Sequence, residues 1–151
     1  MNIFFEALLL LCIDNMKSLI LSTTIKILLP MMLLFSFFLL MRGHNLPGGG
    51  FTGGLVASAG FALYAIAFGI NSTRQIMRIK PDTLLYSGLL IAGFSGLMAV
   101  FSGRPFMTGL WIANEIPGFQ KVGTPVLFDV GVYLVVLGMV TKIIFSLMEE
   151  D

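Results

Sequence analysis

The chain has 151 residues, room for one compact domain, so two independent catalytic domains are excluded. Of its residues 57% are hydrophobic and only 11% are charged, against about 25% in an ordinary soluble domain, which excludes a water-soluble globule. The formal net charge of +1 leaves no footprint for nucleic acid, and a single Cys (Cys12) with a single His (His44) excludes an internal disulfide and a Cys/His zinc site.

Residues 1–17 come first in chain order. Ile3 to Ile13 is apolar apart from Glu6, yet eleven residues of helix rise only about 16 Å, too short to cross a bilayer core of about 30 Å. No basic residue precedes this stretch, so it is a poor cleaved signal peptide. Two readings stand: an interfacial extension packed along the first span, or translation beginning at Met16.

Residues 18–151 then read as one four-span membrane domain, with apolar runs at about 18–41, 51–70, 84–102 and 126–148. Runs of this length satisfy their backbone groups in lipid only as helices, and the alternating ten-residue pattern of barrel strands is absent. The fold expected is an all-α membrane protein with four transmembrane helices in a bundle. Arg74, Arg78 and Lys80 between the second and third spans place that loop in the cytoplasm, and with it both termini.

Ionisable residues inside spans usually mark an ion path, because a charge in lipid is costly. Only Lys26, Asp129 and Lys142 qualify. Lys26 and Lys142 lie towards the cytoplasmic side, where a long stem can snorkel; the rival reading is a polar path. Asp129 lies about one turn inside the external end of the last span. It is either a carboxylate favoured by a helix N-terminus or an ion-path group. No Asp, Glu, His or Arg occupies the central third of any span, so the chain is expected not to carry an ion alone.

The joint between the first two spans, 42–55, reads RGHNLPGGGFTGGL. Gly48, Gly50 and Gly53 match the dinucleotide fingerprint formally, but a span precedes them instead of a strand, and the next acid is Asp82. The mechanical reading is better: Pro47 and the glycines Gly48, Gly49 and Gly50 reverse the chain sharply. Small residues then recur four apart at Gly50, Gly54, Ser58 and Ala62, with Gly49, Gly53 and Ala57 in a neighbouring row, and the third span echoes this at Gly88, Ala92 and Gly96. Such stripes let membrane helices approach closely, either with one another or with a partner chain. His44 titrates near neutral pH, but a lone loop histidine is more often a hydrogen-bonding group than a proton carrier.

The loop 71–83 places Arg74 and Arg78 one turn apart, with Ile76, Met77 and Ile79 available to face lipid, as a short interfacial helix ended by Pro81. The 23-residue loop 103–125 is too apolar to float in water, and is expected to lie in the interface with Trp111 as an anchor or to dock on a partner.

The joint motif, with His44, Asn45, Pro47, the glycine triplet, Phe51, Gly53 and Gly54, strongly resembles the signature of the MnhB/MrpB family, the small B-type component of the multisubunit Mrp-type sodium/proton antiporter. The segment 127–138, with Phe128, Asp129, Gly131 and Tyr133, resembles that family's last-span motif. The resemblance covers about 16–150. It implies an accessory subunit of a hetero-oligomeric complex in the cytoplasmic membrane, needed for activity without being a transporter by itself. Its partners would include large antiporter subunits similar to those of respiratory complex I. No bound cofactor and no catalytic residue are expected. Two rivals are kept: the homologous subunit of a membrane-bound hydrogenase or related redox complex, and a small homodimeric four-span exporter.

Overall fold

The computed structural model describes residues 2–43, 48–111 and 123–149, with side chains from Ile20 onward. Five helices follow in order: α1 (Asn2–Arg42), α2 (Gly50–Phe68), α3 (Ile70–Met77), α4 (Pro81–Phe101) and α5 (Thr124–Glu149). Four are long and apolar enough to cross a membrane, with the first span at Ile20–Arg42, so the all-α four-span expectation holds. The backbone of 2–17 continues into the first span as part of one helix of 41 residues.

Span boundaries shift by a few residues, each for a local reason. The second span ends at Phe68 because Gly69 takes φ 82°, a conformation that stops a helix. Pro81 does not end α3 as expected; it is the first residue of α4, where its missing N–H costs no helical hydrogen bond. α3 stops three residues earlier, at Arg78. Met77, expected to face lipid, is buried in the core, while Ile76 and Ile79 are exposed.

α5 is the centre of the packing: α4 lies along one side of it and α2 along another, α1 covers α2, and α3 sits against the end of α2. The core joins Ile25 and Leu29 of α1 to Phe61 and Tyr64 of α2, Leu84 of α4, and Leu137 and Phe145 of α5. Outward faces stay apolar, as with Leu34 and Phe35 on α1 and Leu90 on α4, because lipid rather than water is their solvent.

The small-residue stripes are consumed internally, but α2 and α4 do not use them on one another. Each lies on α5. A β-carbon at Gly88 would come within 2.6 Å of the Gly131 carbonyl oxygen and 2.7 Å of the Val135 nitrogen, and one at Gly131 within 2.6 Å of the Ala92 nitrogen. One at Gly138 would meet the Pro81 carbonyl oxygen and the Leu85 nitrogen at 2.7 Å. Gly131 and Gly138 stand two turns apart on one face of α5, so this helix brings a flat seam of its own to α4. Gly96 departs from the helix-packing expectation: its open side is filled by Phe106 and Met107 of the following loop.

That loop docks, in its described part, on its own chain. The Ser95 hydroxyl donates to the Thr124 carbonyl at 2.7 Å, the Leu110 N–H donates to the Thr124 hydroxyl at 3.0 Å, and Trp111 pairs with Gly123 across an antiparallel bridge. Trp111 remains half exposed, as an interfacial anchor would be.

Candidate functional site

The joint motif and the last-span motif meet. α1 ends at Arg42, and the chain returns so that the Gly49 N–H donates to the Leu39 carbonyl at 3.0 Å, closing the joint on the last turn of α1. A β-carbon at Gly48 would lie 2.9 Å from that same carbonyl, so the closure needs glycine there. Gly49 has φ 100°, a value side chains rarely adopt, and stands as the N-cap of α2. Phe51 is exposed, and His44, Asn45 and Pro47 lie outside the described residues.

Asp129 reaches this point from α5. Its carboxylate oxygens would lie 3.5 and 3.8 Å from a β-carbon on Gly49, in ordinary contact distance of the α2 N-cap. α2 has no acidic residue in its own first turn, and the Asp129 carboxylate from another helix stands beside its positive end. Of the two helix N-termini, the one that the Asp129 carboxylate approaches is that of α2, not that of α5 on which it sits.

One turn deeper, the three helices share a buried polar network. Ser36 of α1, fully buried, donates to the Gly53 carbonyl at 2.8 Å, and its oxygen lies 2.9 Å from the Tyr133 hydroxyl. A serine has one hydroxyl proton, already given to Gly53, so Tyr133 is the donor of the second bond. Gly53 and Gly54 make room: β-carbons there would lie 2.9 Å from the Ser36 and Tyr133 carbonyl oxygens respectively. Ser58 turns back to the Gly54 carbonyl at 2.9 Å and is fully buried, and Ala62 is half-buried further along α2. Among the described residues, no buried side-chain oxygen or nitrogen lacks a hydrogen-bond partner.

Ser36 and Tyr133 carry this network, and neither was singled out for packing by the sequence. Tyr133 follows Asp129 by four residues, which puts both on one face of α5 and was the available signal. Tyr133→Phe, which removes one bond, should lower stability by about 1 kcal/mol and Ser36→Ala, which removes both, by about 1–2 kcal/mol, with the double variant little worse than Ser36→Ala because the Tyr133 bond is already lost there. Thermal unfolding of the purified single and double variants checks this; full additivity would show that the two groups do not act together.

The remaining span charges lie away from the joint, Lys26 beside the Phe68 end of α2 and Lys142 beside the start of α4. The Lys26 ammonium sits 5.4 Å from the centre of the Phe68 ring and is exposed. Lys142 pairs with Asp82 at the start of α4 at 2.5 Å, both groups about half exposed, and Arg74 pairs with Glu149 at 2.5 Å. Asp82, unremarked in the sequence, thus gives Lys142 a partner at the edge of the bundle. No group of three or more His, Cys, Asp or Glu is placed to hold a metal ion among the described residues.

These features define a class: a multi-pass helical membrane protein whose helices meet on glycine seams and share a small buried polar network. A family model described as a domain related to the MnhB subunit of Na+/H+ antiporter matches residues 20–142, and the chain belongs to that family. It is similar to the MnhB-type Na(+)/H(+) antiporter component of Bacillus subtilis (strain 168), 38% identical over 137 residues that make up 89% of this chain and 96% of the relative. The corresponding component in Alkalihalophilus pseudofirmus (strain ATCC BAA-2126 / JCM 17055 / OF4) is 35% identical over 141 residues, 91% of this chain and 98% of the relative. A solved structure of the Mrp complex from Dietzia sp. DQ12-45-1b contains a similar fold at TM-score 0.76 and 34% identity. That match covers 89% of this chain but only 14% of the other, so the chain spans about a seventh of the polypeptide it resembles there.

Proposed function

We propose that this chain is an accessory membrane subunit of a multisubunit monovalent cation/proton antiporter exchanging sodium for protons, required for assembly and activity and not carrying the ion alone. The family places it among transporter-complex components. The observation that carries the accessory role is where its charges lie. Asp129 and Lys142 lie towards the two ends of α5, Lys26 lies in the first span nearer its Ile20 end, and the polar groups buried between α1, α2 and α5 are satisfied by one another. A path for an ion needs ionisable groups deep in the membrane, and this chain offers no Asp, Glu, His or Arg in the central third of a span.

The partners are other subunits of the complex, including large ones similar to the antiporter subunits of respiratory complex I. The Mrp relative supports this, since a module of this fold forms there part of a much longer chain. The membrane is the cytoplasmic one, with the α3 loop and both termini on the cytoplasmic side, as Arg74, Arg78 and Lys80 favour.

The test is to tag the full chain in its host, extract membranes in mild detergent, and identify what co-purifies. Recovery with large antiporter-like subunits is expected; recovery as a lone homodimer, or with hydrogenase subunits, would overturn the reading. Asp129→Asn keeps the shape of the side chain and removes its charge from the α2 N-terminus. Stability should fall by about 0.5–1 kcal/mol, while the apparent sodium affinity of the assembled complex changes by less than about twofold. A tenfold loss of sodium affinity, read from exchange in inverted vesicles, would instead put Asp129 on the ion path.

A further inference from the structure

α3 links two membrane-crossing helices, so it lies at the depth of lipid headgroups. Its surroundings sort the charges there into two sets. Arg74 is held by Glu149 and stands 5.5 Å from the Phe145 ring centre, and Lys142 is held by Asp82. Arg78 and Lys80 are exposed and make no ion pair among the described residues. On either side of Arg78 the apolar side chains Ile76 and Ile79 are also exposed, at 47% and 51%. Two unneutralised cations alternating with two exposed isoleucines suit one environment: phosphate at the headgroup level with acyl chain beneath it.

The backbone adds an independent observation. Arg78 has φ 57°, and the Ile79 N–H donates to the Met77 carbonyl at 2.7 Å, so Arg78 is the centre of a tight γ-turn. Glycine is the residue at ease with positive φ, and at the other end of the same helix Gly69 fills such a position. An arginine stands where glycine would relax the chain, and what it adds over glycine is its charged side chain.

We propose that Arg78 and Lys80 form a site for the phosphate of an anionic phospholipid, with Ile76 and Ile79 against the upper acyl chain. The occupant is a lipid and not a soluble anion, because half of the patch is apolar. The site ties the α3 turn to the membrane surface and is separate from the joint of α1, α2 and α5.

Photoactivatable phosphatidylglycerol and phosphatidylcholine, introduced separately into membranes carrying the full-length tagged chain, test the site when labelled peptides are mapped. Phosphatidylglycerol is expected to label 70–83 in preference to phosphatidylcholine, with an excess of inorganic phosphate leaving the labelling in place. Arg78→Gly relaxes the turn and so preserves the fold while removing the charge; combined with Lys80→Gln it should cut the phosphatidylglycerol labelling about fivefold or more. Arg78→Lys should keep it, and Arg104→Gln, in the other long loop, should leave it unchanged. Equal labelling by the two lipids, labelling indifferent to the double substitution, or displacement by phosphate would each overturn the proposal.

Discussion

Gly50→Ala should break the contact between α2 and α5. A single methyl group at this position would overlap the carbonyl oxygen of Asp129 and come within 2.9 Å of the Tyr133 nitrogen. Both obstacles are backbone atoms of a helix, so no rotamer change relieves them, and the helices must separate. Separation would also pull Asp129 from the Gly49 N-cap and stretch the Ser36, Gly53 and Tyr133 network. Inserting bulk into a packed contact costs about 1–3 kcal/mol, and a rigid backbone obstacle puts Gly50→Ala at or above the top of that range. Helix association in lipid depends on close packing, so recovery of the folded chain after mild heating should fall by roughly tenfold or more. Gly93→Ala is the control: nothing lies within 4 Å of a β-carbon there, and alanine is the better helix former. Its recovery should match or slightly exceed the parent. Equal recovery of Gly50→Ala and Gly93→Ala would show that α2 and α5 do not meet this way.

The second large effect is expected at Gly131→Ala, on the opposite seam. Its β-carbon would stand 2.6 Å from the Ala92 nitrogen and 2.8 Å from the Gly88 carbonyl oxygen, pushing α4 off α5. The loss should again be about 3 kcal/mol, for the same reason. Its signature differs, however. α4 carries Asp82, the partner of Lys142, and Ser95, which anchors Thr124, so these tethers should loosen while the joint of α1 and α2 stays closed. Limited proteolysis separates the two variants: Gly131→Ala should expose cleavage sites beside α4, and Gly50→Ala sites beside the joint. Identical digestion patterns would argue that the two seams are one cooperative unit.

Much of this architecture is legible in the residues taken singly. Four long apolar runs name four helices because lipid leaves the backbone no other way to pair its polar groups. The glycine triplet after Pro47 marks a sharp reversal, and the structure puts Gly49 there at φ 100°. The stripe at Gly50, Gly54 and Ser58 marks a flat face, and all three are buried. What they are buried against was not legible. Flatness is a property of one helix, whereas a contact belongs to two, and the equally apolar α4 and α5 offer α2 no hydrophobic preference between them.

Ser36 and Tyr133 show the same limit for the site. Each is an ordinary polar residue in an apolar run, and only the crossing of α1, α2 and α5 brings their oxygens to 2.9 Å. Lys142 and Asp82, sixty residues apart, become a pair for the same reason. Composition, the length of the apolar runs and the spacing of small residues, which are local, determined the membrane class, the number of spans and the places where backbones could come close. The tertiary structure alone decided that α5 is the shared neighbour, that Asp129 comes to stand beside the start of α2, and which charges end up paired. Those outcomes depend on distances between segments far apart in the chain, and close packing of glycine against backbone sets such distances to within a methyl group.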